Sequence, residues 1–244
     1  MKIFVDTANL QEIEETLKRG FIQGVTTNPS LLAKEPKSKF EEHISKIVEL
    51  LKKYQDGAHL SVEVFSQDPK EILKQAKYFK QTFQYDSLSI KVQVGWNELE
   101  VIKELSENGI SVNCTACMNV TQAMMAAWAG AKYVSLFWGR IRDGGSDEKF
   151  KNERDMAFKN KSLDNDDFDP AKVVRRTRQL IDQTGLNAEI IAGSMRGVLD
   201  IRDAVLAGAH IVTVPPKLFK DMISHFKTDE VIRQFLTDFD NWLK

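Results

Sequence analysis

The chain has 244 residues, a length that fits one large domain or two small ones. Lys and Arg total 34 against 35 Asp and Glu, and this near-neutral charge gives no signature of a nucleic-acid or anionic-membrane partner. The first residues turn polar too soon for a signal peptide, and no apolar stretch approaches the ~18 residues of a membrane span, so we expect a cytoplasmic protein.

Short strand-like runs alternate with longer amphipathic segments along the whole chain. The apolar runs predict eight strands, at 2–6, 24–27, 60–64, 88–92, 111–115, 133–137, 189–192 and 211–214. The helical periodicity predicts intervening helices, which include 10–20, 40–54, 69–83, 98–108, 121–129, 170–184 and 200–207. Asp68-Pro69 and Asp169-Pro170 have the form of an N-cap followed by proline at the first helical position.

This alternation of strands and helices favours a parallel sheet. Eight units in 244 residues predict an α/β protein that is a single TIM barrel, (β/α)8, over residues 1–244. The alternative is an open doubly wound sheet, but no G-x-G-x-x-G follows the first strand and no Walker loop is present. Apolar residues at helical spacing over about 228–244 predict a C-terminal helix that caps the barrel or reaches a neighbouring subunit.

One segment, about 143–169, interrupts the alternation of strands and helices after the sixth strand. It is polar and charged and has few apolar anchors, which predicts a long loop. Two interpretations stay open, a lid beside the catalytic mouth and a mobile surface insertion.

Lys91 stands in the fourth predicted strand, where a buried ammonium group is costly and packing gives it little purpose. Desolvation lowers the pKa of an amine, and a free amine attacks a carbonyl carbon to form a Schiff base. The other interpretation is a lysine at the frayed end of a strand with its ammonium in water.

In a TIM barrel the chemistry takes place at the C-terminal ends of the strands, and polar residues are concentrated at those positions here. Lys91 would be the covalent amine, and Glu63 would relay a proton through a water held by Thr115 as a carbinolamine dehydrates. Asp6 would take a hydroxyl proton as a C–C bond breaks and later return it. The candidate substrate-binding residues are Thr26, Asn28, Asn113, Ser135, Phe137, Arg140, Ser194 and Arg196.

Among these, Arg140 and Arg196 with Ser194 supply the bidentate and neutral donors that a phosphate dianion needs. Surface ion pairing is the alternative for the two arginines. No histidine is placed to join a metal cluster, so we expect neither a metal nor a cofactor. Cys114 and Cys117 form one C-x-x-C, which is either a redox dithiol or two buried thiols.

These residues resemble the transaldolase family over nearly the whole chain. The matching segments are FVDTAN at 4–9, GVTTNPS at 24–30, IKV at 90–92, VNCT at 112–115, SLFWGR at 135–140, AGSMR at 192–196 and VP at 214–215. The length and spacing resemble the small microbial branch, which includes both transaldolases and fructose-6-phosphate aldolases. The resemblance implies Schiff-base chemistry without a metal, sugar phosphate substrates, and assembly into a homo-oligomeric ring such as a pentamer or decamer.

Two positions distinguish activities within that branch. Its aldolases carry Gln in place of Glu63 and Tyr in place of Phe137, and the tyrosine hydroxyl helps to protonate and release the dihydroxyacetone enamine. The resemblance therefore favours a transaldolase that moves dihydroxyacetone from a ketose phosphate, such as fructose 6-phosphate, to an aldose phosphate. The alternatives are a fructose-6-phosphate aldolase, a transaldolase for sulfonated 6-deoxy-6-sulfofructose, and a non-catalytic barrel that binds sugar phosphate.

The chain also departs from the family pattern. Leu136 replaces a usual proline, Trp138 replaces a small aliphatic residue, and Gly193 replaces alanine. Together with the insertion at about 143–169, these changes lie near the expected anion site. They bear on the identity of the substrate more than on the mechanism.

Overall fold

A computed structural model describes all residues, 1–244. The strands are β1 Lys2–Asp6, β2 Gly24–Thr26, β3 His59–Glu63, β4 Leu88–Gln93, β5 Val112–Cys117, β6 Tyr133–Phe137, β7 Glu189–Gly193 and β8 Ile211–Val214. The helices are α1 Leu10–Leu17, α2 Pro29–Leu32, α3 Phe40–Tyr54, α4 Pro69–Phe83, α5 Trp96–Glu107, α6 Val120–Trp128, α7 Trp138–Ser146, α8 Lys151–Lys159, α9 Pro170–Thr184, α10 Val198–Leu206, α11 Lys217–Ile223 and α12 Phe226–Trp242.

The eight strands pair in chain order, all in parallel, and β1 pairs with β8 to close the barrel. The closing register sets Lys2 against Ile211 and Val5 against Val214. The predicted (β/α)8 TIM barrel is confirmed, and the open doubly wound sheet is excluded because it would leave two free edges.

Local signals in the sequence explain most element boundaries. The Asp68 side chain accepts a hydrogen bond from the Glu71 amide, and the Asp169 side chain accepts from Ala171 and Lys172, so both predicted N-caps are present. Helix α1 ends at Leu17, three residues before its predicted end at 20, and β5 continues two residues beyond its predicted end at Thr115.

Apolar side chains are distributed very unevenly between the two faces of the sheet. A cluster of 51 buried residues lies mainly between the strands and the surrounding helices, whereas four others, Phe4, Tyr133, Ile191 and Ile211, form a separate small cluster. Because side chains alternate in and out along each strand, the buried polar residues on the alternate positions face the barrel interior. They are Thr26, His59, Ser61, Ser89, Lys91, Asn113, Thr115, Ser135 and Thr213. A polar interior must satisfy its own hydrogen bonds, and those bonds build the candidate site.

The segment at about 143–169 folds into helices, so the prediction of a long loop is wrong. It contains the end of α7, a 3₁₀ turn at Glu148–Phe150, α8 and a second 3₁₀ turn at Asn165–Phe168. Arg154 donates hydrogen bonds to the carbonyl oxygens of Gly144 and Asp147. Asp166 forms ion pairs with Lys172 and Arg176 of α9. Ion pairs, caps and an edge-on contact between the Phe158 and Phe168 rings thus hold the segment.

The C-terminal helix α12 is present as predicted, but it does not cap the barrel. It has no buried residue, and large apolar side chains are exposed along it, namely Phe226, Val231, Ile232, Phe235, Leu236, Phe239 and Trp242. None of the twelve helices combines the length and the apolar character that crossing a bilayer requires.

Candidate active site

A cavity of about 390 Å³ opens at the C-terminal ends of the strands. Ten of the twelve residues predicted for the site line it, and the exceptions are Asn113 and Arg196. The ten are Asp6, Thr26, Asn28, Glu63, Lys91, Thr115, Ser135, Phe137, Arg140 and Ser194. Strand ends from all sides of the barrel therefore converge on one enclosed volume.

Lys91 lies at the base of this cavity with only 5% of its surface exposed. Its Nζ donates to Glu63 Oε2 at 2.8 Å and to the carbonyl oxygen of Thr27 at 2.9 Å. The pairing follows from the sheet, because Glu63 on β3 and Lys91 on β4 are register partners. The interpretation of Lys91 as a frayed strand end with a solvated ammonium is wrong. The amine is buried beside a carboxylate that can accept its proton.

Asp6 ends β1 and is bound by Thr26 of β2, which in turn contacts Thr213 of β8. Thr26 Oγ1 donates to Asp6 Oδ1 at 2.7 Å, and Thr26 Oγ1 lies 2.5 Å from Thr213 Oγ1. Burial raises the pKa of Asp6 above its ordinary value, although the Thr26 hydrogen bond and the Lys91 charge act in the opposite direction. A carboxyl group with a raised pKa is a better proton acceptor than an ordinary aspartate, which suits general base catalysis.

Thr115 presents an unsatisfied hydroxyl to the site. Its Oγ1 is buried and has no hydrogen-bond partner within the protein. The strand is irregular here, since the pairing of β5 with β6 shifts between Cys114 and Cys117 and Ala116 has a φ of 62°. A buried hydroxyl without a partner is costly, so this atom is suited to bind a water molecule or a substrate oxygen.

Asn113 does not line the cavity. Its side chain instead connects Ser61 and Ser135 by hydrogen bonds within the barrel interior. Its Nδ2 donates to Ser61 Oγ at 3.0 Å, and its Oδ1 accepts from Ser135 Oγ at 2.7 Å. Of these residues only Ser135 reaches the cavity wall. The sequence placed Asn113 among the substrate ligands, whereas in the structure its amide positions Ser135.

This chain of hydrogen bonds continues to the opposite end of the barrel. His59 Nε2 lies 2.5 Å from Ser61 Oγ, and its ring stacks on Phe4 and contacts Tyr133 edge-on. Burial, together with the nearby lysine charges, lowers the pKa of His59 to about 3, so the imidazole is neutral at pH 7. Because Asn113 donates to Ser61, the Ser61 hydroxyl is free to donate onward to His59 Nε2.

The other end of the cavity offers cationic and neutral donors. Arg140 lines the cavity and is exposed, and it makes no ion pair within the chain. Ser194 stands beside it with a φ of 60°, a left-handed conformation that is uncommon for a residue other than glycine. Asn28 also lines the cavity while its side-chain oxygen caps α2 by accepting from the Leu31 amide at 3.0 Å.

Arg196 is held outside the cavity lining by an acid from α7. Its guanidinium forms a two-pronged ion pair with the Asp143 carboxylate. Beside this pair, Asp200 accepts from Trp138 Nε1 at 3.1 Å and from Arg142 at 2.8 Å. The ion-pairing alternative that the sequence left open therefore describes Arg196, while Arg140 stays available to an anion.

The two cysteines are buried and reduced. Cys114 and Cys117 are both free thiols, with their sulfur atoms 3.9 Å apart. The hydrogen bond to Cys114 and burial raise the pKa of the Cys117 thiol well above its ordinary value. Redox exchange needs an accessible thiolate, so the geometry favours the interpretation of two buried thiols.

Comparison with known proteins agrees with this site. A sequence profile described as Transaldolase/Fructose-6-phosphate aldolase matches residues 3–243. The chain belongs to this family. It is 36% identical over 244 residues to a protein named "Probable transaldolase" from Alkaliphilus metalliredigens, with 100% of both chains covered. It is also 36% identical over 238 residues to one of the same name from Dehalococcoides mccartyi, covering 98% of this chain and 97% of the relative. A third, "Probable transaldolase 1" from Listeria monocytogenes, is 35% identical over 240 residues, 98% of each chain.

For this transaldolase-family chain, the sequence did not indicate the residues that hold the predicted site residues in place by hydrogen bonds and ion pairs. Ser61 and Thr213 are buried hydroxyls that hold Asn113 and Thr26, and Asp143 pairs with Arg196. The available signal was the alternation of polar residues along the strands, because inward-facing positions of a barrel are ordinarily filled by bulky branched side chains.

Proposed function

We propose that this chain is a class I transaldolase that transfers a dihydroxyacetone unit from a ketose phosphate, such as fructose 6-phosphate, to an aldose phosphate. One observation carries the proposal: a buried lysine nitrogen lies 2.8 Å from a carboxylate oxygen at the base of an open cavity. That arrangement supplies an amine nucleophile and a place for its proton.

The first half of the reaction forms the covalent intermediate. Lys91 Nζ, after passing a proton to Glu63, adds to the C2 carbonyl of the ketose to give a carbinolamine. Glu63 then returns a proton to the carbinolamine hydroxyl, directly or through a water bound at Thr115 Oγ1, and water leaves. The Lys91 nitrogen is then an iminium, which withdraws electrons from the neighbouring C–C bond.

The second half breaks and remakes that bond. Asp6 accepts the proton of the C4 hydroxyl as the C3–C4 electron pair moves towards the iminium, leaving a neutral enamine and a free aldehyde. The enamine carbon then attacks the aldehyde of the incoming aldose phosphate, and Asp6 returns the proton to the new alkoxide. Hydrolysis of the iminium frees Lys91.

The character of residue 137 supports transfer over simple cleavage. Phe137 lines the cavity and has no hydroxyl with which to protonate the enamine, so the enamine persists until an aldehyde arrives. The aldolase that releases free dihydroxyacetone remains the first alternative. The second is a transaldolase for 6-deoxy-6-sulfofructose, because the Arg140 guanidinium can bind a sulfonate as well as a phosphate.

The test is reductive trapping. The protein is incubated with fructose 6-phosphate and borohydride, and its intact mass and its peptides are measured. We expect a reduced three-carbon adduct on Lys91, which would establish Schiff-base formation and C–C cleavage together. Lys91→Met should abolish the adduct, while Lys103→Met, which changes an exposed lysine, should retain it. A folded wild-type protein that forms no adduct with this sugar or its sulfonated analogue would contradict the proposal.

We further propose that the enzyme works in the cytoplasm, within the pentose phosphate part of carbohydrate metabolism, and as a homo-oligomer such as a pentamer or decamer. The apolar exposed surface of α12 supports self-association, since an isolated 17-residue helix is marginally stable in water. The near-neutral net charge of −1 gives no support for a nucleic-acid or membrane partner.

A further inference from the structure

The ion pair between Asp143 and Arg196 lies at the wall of the candidate anion site. A Cβ atom added to Gly139 would stand 2.7 Å from Arg196 Nε and 2.6 Å from the carbonyl oxygen of Ser194. The Arg196 guanidinium therefore lies against the backbone that leads directly into Arg140. Ser194 and Arg140 both line the cavity, whereas Asp143 and Arg196 do not. The ion pair therefore lies next to the cavity wall, outside the residues that form it.

Asp143 influences both arginines of this region. Arg196 holds the pKa of the Asp143 carboxyl below its ordinary value, and the charges of Arg142 and Arg140 act in the same direction. Asp143 is thus a carboxylate at any pH at which a sugar phosphate is dianionic. Arg142 is already paired with Asp200, so the charges next to Ser194 that the loops after β6 and β7 contribute are Arg140, Arg196 and Asp143.

These charges leave a single net positive charge where the sequence predicted two. The ion pair is also accessible, with 41% of the Asp143 side chain and 47% of the Arg196 side chain exposed. Exposed ion pairs are weak because water competes for both partners. An incoming anion can therefore displace the Asp143 carboxylate from the Arg196 guanidinium at a small cost in free energy.

We propose that Asp143 is a specificity-determining residue whose carboxylate competes with the terminal anionic group of the substrate for Arg196, and so favours a monoanionic group over a dianionic one. This inference rests on the proposed function, in which Arg140 and Ser194 receive that terminal group. A phosphate ester carries close to two negative charges at neutral pH and a sulfonate carries one. Repulsion from Asp143 scales with ligand charge and opposes the phosphate about twice as strongly.

The test replaces Asp143 with asparagine, which keeps the shape of the side chain and removes its charge. For Asp143→Asn we expect the KM for fructose 6-phosphate to fall about three- to tenfold with kcat within about twofold, since one unit charge at contact distance is removed. The KM for the sulfonated sugar, 6-deoxy-6-sulfofructose, should fall by roughly the square root of that factor. Both effects should shrink as ionic strength rises.

Two further variants separate charge from structure. Asp143→Glu retains the carboxylate and should keep the wild-type ratio of the two KM values. Asp182→Asn breaks a comparable exposed ion pair with Arg178 on α9 and should change neither KM. Thermal unfolding of each variant shows whether it is folded, and Asp143→Ser, which also removes the charge, takes the place of the asparagine variant if that one is not.

Binding of a carbonyl-free hexitol 6-phosphate, measured by calorimetry, distinguishes failure of this inference from failure of the proposed function. The analogue cannot form a Schiff base, so its dissociation constant reports the anion site alone. If the wild-type protein turns over neither sugar but Asp143→Asn binds the hexitol phosphate more tightly, the role of Asp143 stands and the proposed reaction fails. If turnover is normal and Asp143→Asn leaves both KM values and the hexitol affinity unchanged, the role of Asp143 is overturned.

Discussion

The hydroxyl oxygens of Thr26 and Thr213 lie 2.5 Å apart, on the strands that flank β1. Thr26 also donates its proton to Asp6, so the bridging proton between the two threonines must come from Thr213. This order leaves the Asp6 carboxyl oxygens as acceptors, with one of them bound by a hydroxyl. The hydroxyl of Thr26 thus holds the Asp6 carboxyl group without a direct ion pair, an arrangement suited to the general base that we propose.

Asp6→Asn should abolish C–C cleavage, because an amide accepts no proton, while the initial Schiff base with the intact ketose still forms. Intact mass after borohydride would then show a six-carbon adduct instead of a three-carbon one. In the wild type the raised pKa of Asp6 should place the acid limb of the kcat/KM profile above the ordinary value of 3.8. A three-carbon adduct on the asparagine variant would remove Asp6 from the mechanism.

The same substitution should raise the free energy of unfolding at pH 7.5. A carboxyl whose pKa is raised by folding favours the native state below its unfolded-state pKa, and that contribution is lost as pH rises through the folded-state pKa. The asparagine side chain does not ionise, so the variant avoids this loss of stability. Its Tm should therefore exceed that of the wild type at pH 7.5, and the difference should shrink towards pH 4. Asp56→Asn, at an exposed loop position, should show no such pH-dependent difference.

Thr115→Val should separate stability from activity. The substitution removes a buried hydroxyl that has no partner in the protein, so we expect the variant to gain about 1 kcal/mol of stability. Schiff-base formation, followed by the rate of reductive trapping, should be slower, because this hydroxyl can no longer bind the substrate oxygen that leaves as the carbinolamine dehydrates. Thr177→Val is the matched control: its buried hydroxyl donates to the Val173 carbonyl at 2.8 Å, and its removal should give no gain.

Phe137→Tyr should shift the enzyme from transfer towards cleavage. A phenolic hydroxyl at the cavity wall can protonate the enamine, so dihydroxyacetone should be released without an acceptor. Enzymatic assay of free dihydroxyacetone with fructose 6-phosphate alone measures the change. The control Phe150→Tyr changes an exposed ring in the 3₁₀ turn and should release none above the wild type. Equal release by all three proteins would show that residue 137 does not control the fate of the enamine.

Gly24→Ala should destabilise the barrel by about 1–3 kcal/mol through overpacking. An added Cβ would lie 2.7 Å from the Phe4 ring and 2.9 Å from His59 Cβ, so the stacked pair of rings would have to shift. Gly197→Ala adds the same methyl group where nothing lies within 4 Å and should change stability little. Denaturant unfolding of the two variants measures the difference, and equal stabilities would show that the interior of the barrel can relax around the methyl group.

Removal of residues 225–244 should lower the molar mass in solution to that of fewer subunits without unfolding the barrel. Helix α12 has no buried residue in the single chain, so the barrel does not depend on it for its own core. Light scattering measures the mass, and borohydride trapping shows whether the site is intact. Asp238→Asn, a polar change on the same helix, should leave the mass unchanged. A truncated chain that keeps the full-length assembly would place the subunit contact elsewhere.

The barrel architecture, and the position of the candidate site at the strand ends, could be predicted from the amino-acid sequence alone. Alternating short apolar runs and amphipathic segments are local properties, and eight of them are enough to predict a closed parallel barrel. The proximity of Lys91 and Glu63 could be predicted because the strand ends of a parallel barrel converge on one place. Their direct contact then follows from adjacent strands in register.

The folded barrel was needed to show which polar side chains face the cavity and which form hydrogen bonds or ion pairs with one another. Asn113 turned out to bind Ser61 and Ser135, and Arg196 turned out to pair with Asp143, 53 positions earlier in the chain. Sequence spacing gives the type of a side chain and its strand, but hydrogen-bond and ion-pair partners depend on distances set by the closed barrel. The structure also showed that the insertion is helical and that Asp166 within it pairs with Lys172 and Arg176 of α9.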